Sequence, residues 1–204
     1  MSNTPGPPSP WDQRFAGRDY LYGTAPNDFL AAQVHQLRGP VLSLAEGEGR
    51  NAVFMASCGL QVLGVDRSAV GLAKAHQLAT RRGVAIQTLQ ADLADYTPPA
   101  NTFGAVVSIF AHLPGALRQR LYPRLQQALK PGGVLLMEAY TEAQLGRGTG
   151  GPPTADLMMN PAKIRDELAG LDIDLLQVLE RDVIEGSGHT GRASVVQYIG
   201  RKPA

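Results

Sequence analysis

Apolar and polar positions along this chain switch repeatedly between strand and helix periods. Val41, Leu42 and Leu44 form an apolar run that breaks directly into Gly47 and Gly49 and restarts as a helix through Ala52 and Met55. That pattern predicts a buried strand, a tight turn and a helix N-terminus. Upstream, Asn27 caps a helix to about Leu37, with Phe29, Leu30 and Val34 inward, ended by Gly39-Pro40. Downstream, the helix after the glycine turn stops at Gly59. A strand over Gln61 to Val65 ends at Asp66, and Ser68 caps a helix to about Arg82, stopped by Gly83. Ala85 to Leu89 reads as the third strand. Phe103 to Phe110 is continuously apolar, which places it in the middle of a parallel sheet. Leu117 to Leu129 is helical, with Pro123 starting its second half or kinking it. Lys130-Pro131-Gly132-Gly133 then turns into a strand over Val134 to Ala139. Asn160-Pro161 opens a last helix to about Leu168. Leu175 to Ile184 and Arg192 to Ile199 read as two closing strands joined by a hairpin from Glu185 to Gly191.

Two stretches fall outside this alternation. Thr4 to Pro10 is too proline-rich for regular structure, so residues 1–10 read as a loose tail and residues 11–204 as one domain. Within that domain, residues 11–38 read as an N-terminal lid and helix. Gly146 to Pro153 cannot be regular and follows a strand end, which suits a lid or substrate loop as well as a plain connector.

Candidate chemistry starts at the glycine turn. Gly47 and Gly49 allow a ligand near the backbone, and Ala52 lets helix and strand pack closely. This spacing alone fits a nicotinamide dinucleotide as well as an adenosyl group. Glu46 and Glu48 decide between them: they set negative charge where a pyrophosphate would lie, disfavouring NAD, FAD and ATP. S-adenosylmethionine has no phosphate and carries a sulfonium and an ammonium, so an acidic turn suits it. Asp66, roughly 20 residues on at the end of the neighbouring strand, is placed to accept ribose hydroxyls. Asp92 is a candidate for the adenine amino group, with Leu93 on the ring, although a helix-capping aspartate has the same pattern. Tyr22, Asn51, Arg67 and Ser108 complete the candidate cofactor set. Trp11, Phe15, Tyr20 and Tyr22 concentrate aromatics in a chain with 6% of them. They read either as a segment stapled to the core or as a lid whose rings face the sulfonium.

Composition narrows the partners. A formal charge of +1 over 204 residues leaves no nucleic-acid stripe, and Arg81, Arg82, Arg118, Arg120 and Arg124 read as solvated helix faces. The single cysteine, Cys58, excludes an intramolecular disulfide, suits a reducing compartment and reads as packing near a helix end. No apolar run approaches the roughly 20 residues of a membrane span, and no signal sequence is recognisable. The expectation is a cytoplasmic protein with no membrane partner. His35, His76, His112 and His189 have no ligand-like spacing, so no metal is expected.

Taken together these motifs resemble the class I S-adenosylmethionine-dependent methyltransferases over roughly residues 11 to 201. VLSLAEGEGRNA stands at their glycine motif, VLGVD with Asp66 at the ribose motif and QADLADY with Asp92 at the adenine motif. FGAVVSIF and LKPGGVLLMEAY stand at the fourth and fifth strands. The chain looks like the small bacterial branch near the tellurite-resistance and thiopurine methyltransferases. The resemblance implies an α/β Rossmann-like fold: a seven-stranded, mostly parallel sheet with a terminal antiparallel hairpin, helices on both faces, and ligands at the carboxyl edge. There are departures. Ser43 stands where an acidic residue is usual, Ala45 replaces the first glycine, and Glu46 can supply the missing charge. The fourth strand lacks the Asn/Asp-Pro-Pro-aromatic motif of amino-directed enzymes, which argues for a small-molecule acceptor.

Methyl transfer is an in-line displacement that needs alignment and exclusion of water. A general base is needed only for a protonated nucleophile, and His112, Tyr140 and His189 are the groups the topology can bring to the acceptor. The resemblance to the tellurite-resistance and thiopurine branch, together with the lack of a recognisable base dyad, implies a soft sulfur, selenium or tellurium nucleophile as the acceptor. The alternatives are an adenosyl-binding module without transfer activity and a nicotinamide oxidoreductase.

Overall fold

The computed structural model describes residues 9–204. After α1 (Pro10–Phe15) and α2 (Asp28–Gln33), β1 (Val41–Leu44), α3 (Arg50–Ser57), β2 (Val62–Asp66), α4 (Ala69–Arg81) and β3 (Gln87–Gln90) alternate. Then come β4 (Phe103–Ile109), α5 (Gly115–Ala128), β5 (Leu129–Tyr140), α6 (Pro161–Glu167), β6 (Asp172–Glu185) and β7 (His189–Arg201). All seven strands form one sheet in the order β3-β2-β1-β4-β5-β7-β6. The first five are parallel, and β7 runs antiparallel between β5 and β6.

The period-two rule explains why β1 is apolar at successive positions. Val41 joins Ala52, Met55, Ala75 and Leu78 on one face of the sheet, whereas Leu42 and Leu44 join Leu121, Leu125 and Leu168 on the other. Both faces are covered, so neither set reaches water. β4 repeats the arrangement, with Val106 on one side and Ala105 and Val107 on the other. Truncating a side chain as enclosed as Leu42, at 0% exposure, costs about 2–5 kcal/mol in such cores. The chain reverses its direction across the sheet between β1 and β4. In open α/β sheets that switch point is where the crevice forms.

Local signals place the helices. Asn27 Oδ1 accepts from Leu30 N–H, the Ser68 hydroxyl from Gly71 N–H and Asn160 Oδ1 from Lys163 N–H, each ending a helix as an N-cap. Several expectations need correction. Thr4 to Pro8 lie outside the described residues, but Ser9 and Pro10 do not belong to a tail: Ser9 forms a capping box with Asp12, and Pro10 starts α1. The helix after Asn27 is α-helical only to Gln33 and finishes as a 3₁₀ turn. Cys58 is exposed rather than packed. α5 is one continuous helix, with Pro123 on its exposed side, where water can satisfy the carbonyl that loses its partner. Lys130 to Gly133 lie within the bounds of β5 but loop out of its pairing with β4, whose register jumps from Phe103–Leu129 to Ala105–Val134, with Gly132 at φ of 73°. The closing hairpin is tighter than expected: Glu185 pairs with His189, which leaves Gly186 to Gly188 as its turn. Arg118 is buried rather than solvated. It pairs with Glu167 on α6 at 2.8 Å and donates to the carbonyls of Leu113 and Asp156. Among the described residues, no helix is long and apolar enough to cross a membrane.

Candidate active site

A cavity of about 360 Å³ opens over the carboxyl ends of the central strands. Its lining follows the strand order. Asp66, Arg67, Ala91, Asp92 and Leu93 come from the ends of β2 and β3, and Ala45, Glu46, Gly47, Arg50 and Asn51 from the turn after β1. The end of β4 adds Ile109 to Pro114, and α5 adds Leu117. Trp11, Phe15 and Tyr22 contribute from the N-terminal segment and His189 from the hairpin.

The strands leave the sheet here through strained backbone. Ala45 and Phe110, the residues that follow β1 and β4, have φ of 48° and 49°. Left-handed backbone at a non-glycine residue costs of order 1–3 kcal/mol and persists only where its surroundings enforce it. For Phe110 they include its N–H, donated to the Glu138 carbonyl, and its ring, stacked on Tyr140 at 4.6 Å.

Asp66 is buried at the cavity wall. Its Oδ2 accepts from Gly47 N–H and its Oδ1 from Ser68 N–H, both at 2.8 Å. Burial raises its pKa against those bonds. Each oxygen keeps acceptor capacity for a hydroxyl. Asp92 caps no helix, since a turn and not a helix follows β3; it accepts from Ala94 N–H in that turn and lines the cavity, with Arg67 at 3.7 Å. Glu46 is bonded to the Ser43 hydroxyl and accepts from Ala52 N–H at 2.8 Å. Burial dominates these bonds and lifts its pKa to about 7. Asn51 lines the floor and accepts the backbone N–H of Asn27.

Three of the expected cofactor contacts do not reach the cavity. Glu48 turns away to pair with Lys74 and to accept Leu21 N–H. The charge argument against a pyrophosphate therefore rests on Glu46 alone. Gly49 packs against α4, where an added Cβ would lie 2.5 Å from that of Ala75. Ser108 is enclosed in β4. Among the expected catalytic groups, Tyr140 also falls outside the lining. It is fully buried, its hydroxyl has no partner, and burial raises its pKa. Gly150 and Gly151 cover it at positive φ, and no residue of the 146–153 loop lines the cavity.

His112 and His189 do line the cavity and share an aromatic cluster. His112 stacks on Tyr140 at 5.4 Å, and His189 meets Tyr22 at 4.5 Å and Phe110 at 4.9 Å. Burial, then the neighbouring His189, lowers the His112 pKa to about 3, so it is neutral and a poor proton acceptor near neutral pH. The sequence reading missed Arg50 and Glu185. Arg50 Nη2 contacts Glu185 Oε2 at 2.5 Å, and both are buried. A cation in the first turn of a helix opposes the helix dipole, and that oddity was the available sign of a carboxylate partner.

The N-terminal segment is both staple and wall. Lys74 donates to the carbonyls of Phe15, Gly17 and Asp19 while pairing with Glu48. Asp12 accepts from the Ser68 hydroxyl. These anchors hold the rings of Phe15 and Tyr22 at the cavity.

The topology and the glycine turn linked to the carboxylate after β2 define the Rossmann-like fold of the class I S-adenosylmethionine-dependent methyltransferases. Residues 41–133, a little under half of the chain, match the family described as "Methyltransferase domain". S-adenosylmethionine is the cofactor of that class. A curated relative, a 2-heptyl-1-hydroxyquinolin-4(1H)-one methyltransferase of Mycobacteroides abscessus, is 25% identical over 120 residues, covering 57% of this chain and 53% of the relative. The chain thus spans about half that relative's length. Among solved structures, one titled for conversion of a disulfide bond into a thioacetal group during echinomycin biosynthesis superposes with a TM-score of 0.77. It is 21% identical and covers 94% of this chain and 88% of the other. The N-methyltransferase NodS of Bradyrhizobium japonicum, solved with S-adenosylhomocysteine, has a TM-score of 0.69 at 14% identity, with 95% and 97% coverage. At these identities the likeness is one of fold.

Proposed function

We propose that this protein transfers the methyl group of S-adenosylmethionine to a small-molecule acceptor with a soft sulfur, selenium or tellurium nucleophile. The observation that carries the reading is one continuous cavity, with carboxylates at its β2 and β3 end and aromatic rings with histidines at its β4 and hairpin end. The donor set suits the cofactor's chemistry. Asp66 would accept from the ribose hydroxyls, Asp92 would take the adenine amino group, and Leu93 would lie on the ring. Glu46 would meet the ammonium, and Arg50, with guanidinium donors beyond those given to Glu185 and Ala25, would meet the carboxylate. The bound cofactor supplies an electrophilic methyl on a sulfonium. The protein's part is alignment and dryness: Trp11, Phe15 and Tyr22 cover the site, while Phe110, Leu113 and Leu117 offer apolar contact to the acceptor. A curated relative named for a hydroxyquinolinone substrate supports a small-molecule acceptor. The solitary exposed cysteine suits a reducing compartment such as the cytoplasm.

Calorimetry with S-adenosylhomocysteine and with NADH tests the cofactor, and a methyl-acceptor screen over thiols, selenols and chalcogen oxyanions tests the transfer. Tighter binding of NADH would overturn the reading. A second reading, an adenosyl-binding module without transfer, is favoured by Ser43 and Ala45 at altered positions of the glycine motif. Cofactor binding with no turnover across the screen would select it.

A further inference from the structure

One oxygen of Glu185, Oε2, lies between Arg50 on the cofactor side of the cavity and His189 on its acceptor side. Oε2 is 2.5 Å from Arg50 Nη2 and 3.6 Å from His189 Nδ1, while Oε1 accepts from Asn27 Nδ2 at 2.8 Å and lies 3.6 Å from Arg181. His189 Nδ1 is buried and has no hydrogen-bond partner, and the residue lines the cavity. Nε2 is therefore the nitrogen available there. The imidazole also meets the rings of Tyr22, Phe110 and Tyr140, and Gly150 lies beside it. The ionisable groups facing it are Glu185, Tyr22, Tyr140 and the neutral His112, with Arg50 and Arg181 held behind Glu185.

We infer that Glu185 and His189 form a carboxylate–histidine pair, tied through Arg50 to the glycine turn, that takes the proton from an acceptor arriving as a neutral thiol or selenol. This rests on the methyltransferase reading. Glu185 is the positioning residue. Its carboxylate stays ionised because His189, Arg50 and Asn27 together outweigh burial, and an ionised carboxylate beside Nδ1 selects the Nδ1–H tautomer. The lone pair of Nε2 then faces the cavity. The 3.6 Å separation exceeds a hydrogen bond, and such contacts are commonly loose before substrate binds and tighten in the complex. In the step itself the acceptor's proton passes to Nε2 and its electron pair forms the bond to the methyl carbon. The carbon–sulfur pair of the sulfonium returns to sulfur, and the imidazolium later releases its proton to water. The structure thus provides the base dyad that no sequence pattern disclosed.

The test has two readouts. Nitrogen-15 spectra of labelled histidine in the ligand-free full chain should show His189 as the Nδ1–H tautomer, and Glu185→Gln should shift it toward a mixture. A wild-type Nε2–H tautomer, or no response to Glu185→Gln, overturns the pairing. With phenylmethanethiol as acceptor, His189→Gln should lower kcat/KM at least tenfold at pH 7 and regain most of it by pH 9.5, where solvent supplies the thiolate. A loss that is the same at both pH values overturns the base role. Should Glu185→Gln not fold, the wild-type tautomer and the His189→Gln profile decide the matter. Calorimetry with S-adenosylhomocysteine on the same samples keeps the outcomes apart. Absent binding rejects the methyltransferase reading, and therefore the base role built on it, whatever the spectra show; intact binding with the wrong tautomer rejects only the pair.

Discussion

Asp66 Oδ2 accepts the Gly47 amide hydrogen at 2.8 Å, so the carboxylate that ends β2 and the turn that follows β1 act as one object. A ligand that engages the carboxylate is automatically placed over the glycine turn. Asp66→Ala should weaken S-adenosylhomocysteine binding by about 1.5–3 kcal/mol, the value of hydrogen bonds to a charged acceptor. Asp66→Asn, which keeps one acceptor oxygen, should lose less. An unchanged Kd in a folded alanine variant, measured by calorimetry, would remove Asp66 from the site.

Glu46 should link both stability and cofactor binding to pH. Its pKa rises from 4.5 to about 7 on folding, chiefly through burial, so the native state holds the extra proton between those values. Stability from this group is therefore full below about pH 4.5 and declines as pH rises to about 7, a loss on the order of 3 kcal/mol. Glu46→Gln should flatten that part of a melting-temperature profile. A cationic cofactor favours the ionised form, so binding near pH 6.5 should release a proton. Calorimetry in two buffers of different ionisation enthalpy would detect it, and identical heats would refute it.

Lys74 fastens the N-terminal segment, and its side chain is buried with Glu48. Removing one member of a buried ion pair costs about 3–5 kcal/mol because the other charge is stranded. Lys74→Met should lower the melting temperature and open the 15–19 segment to limited proteolysis. It should also weaken cofactor binding through Phe15 and Tyr22. Lys74→Met with Glu48→Gln should recover part of the stability, and a double variant no better than the single would show that the pairing is not what matters.

Gly49 serves the fold rather than the ligand. With φ of 92° and Ala75 against it, Gly49→Ala meets both left-handed strain and overpacking, together about 2–6 kcal/mol. Thermal unfolding should register most of the change. A variant of native stability that has lost cofactor affinity would return Gly49 to the binding surface.

The alternation of periods, the caps at Asn27, Ser68 and Asn160, and the apolar runs at 41–44 and 103–109 were sufficient for the class of fold. Each depends on residues close in sequence or on burial of a whole strand, and both leave a periodic trace in one chain. Asp66 was legible for the same reason, since its distance from the glycine turn follows from one strand–helix–strand unit. Side-chain direction was not. Glu46 and Glu48 are two residues apart in one turn, yet the first faces the cavity and the second is drawn to Lys74, a partner on another helix. Arg50 and Glu185 are 135 positions apart, and no local pattern announces such a pair. Long-range packing, acting through desolvation and the few partners available in a buried space, decided which charges face the ligand. It also decided that Tyr140 stands behind the wall and that His189 has a carboxylate at its back.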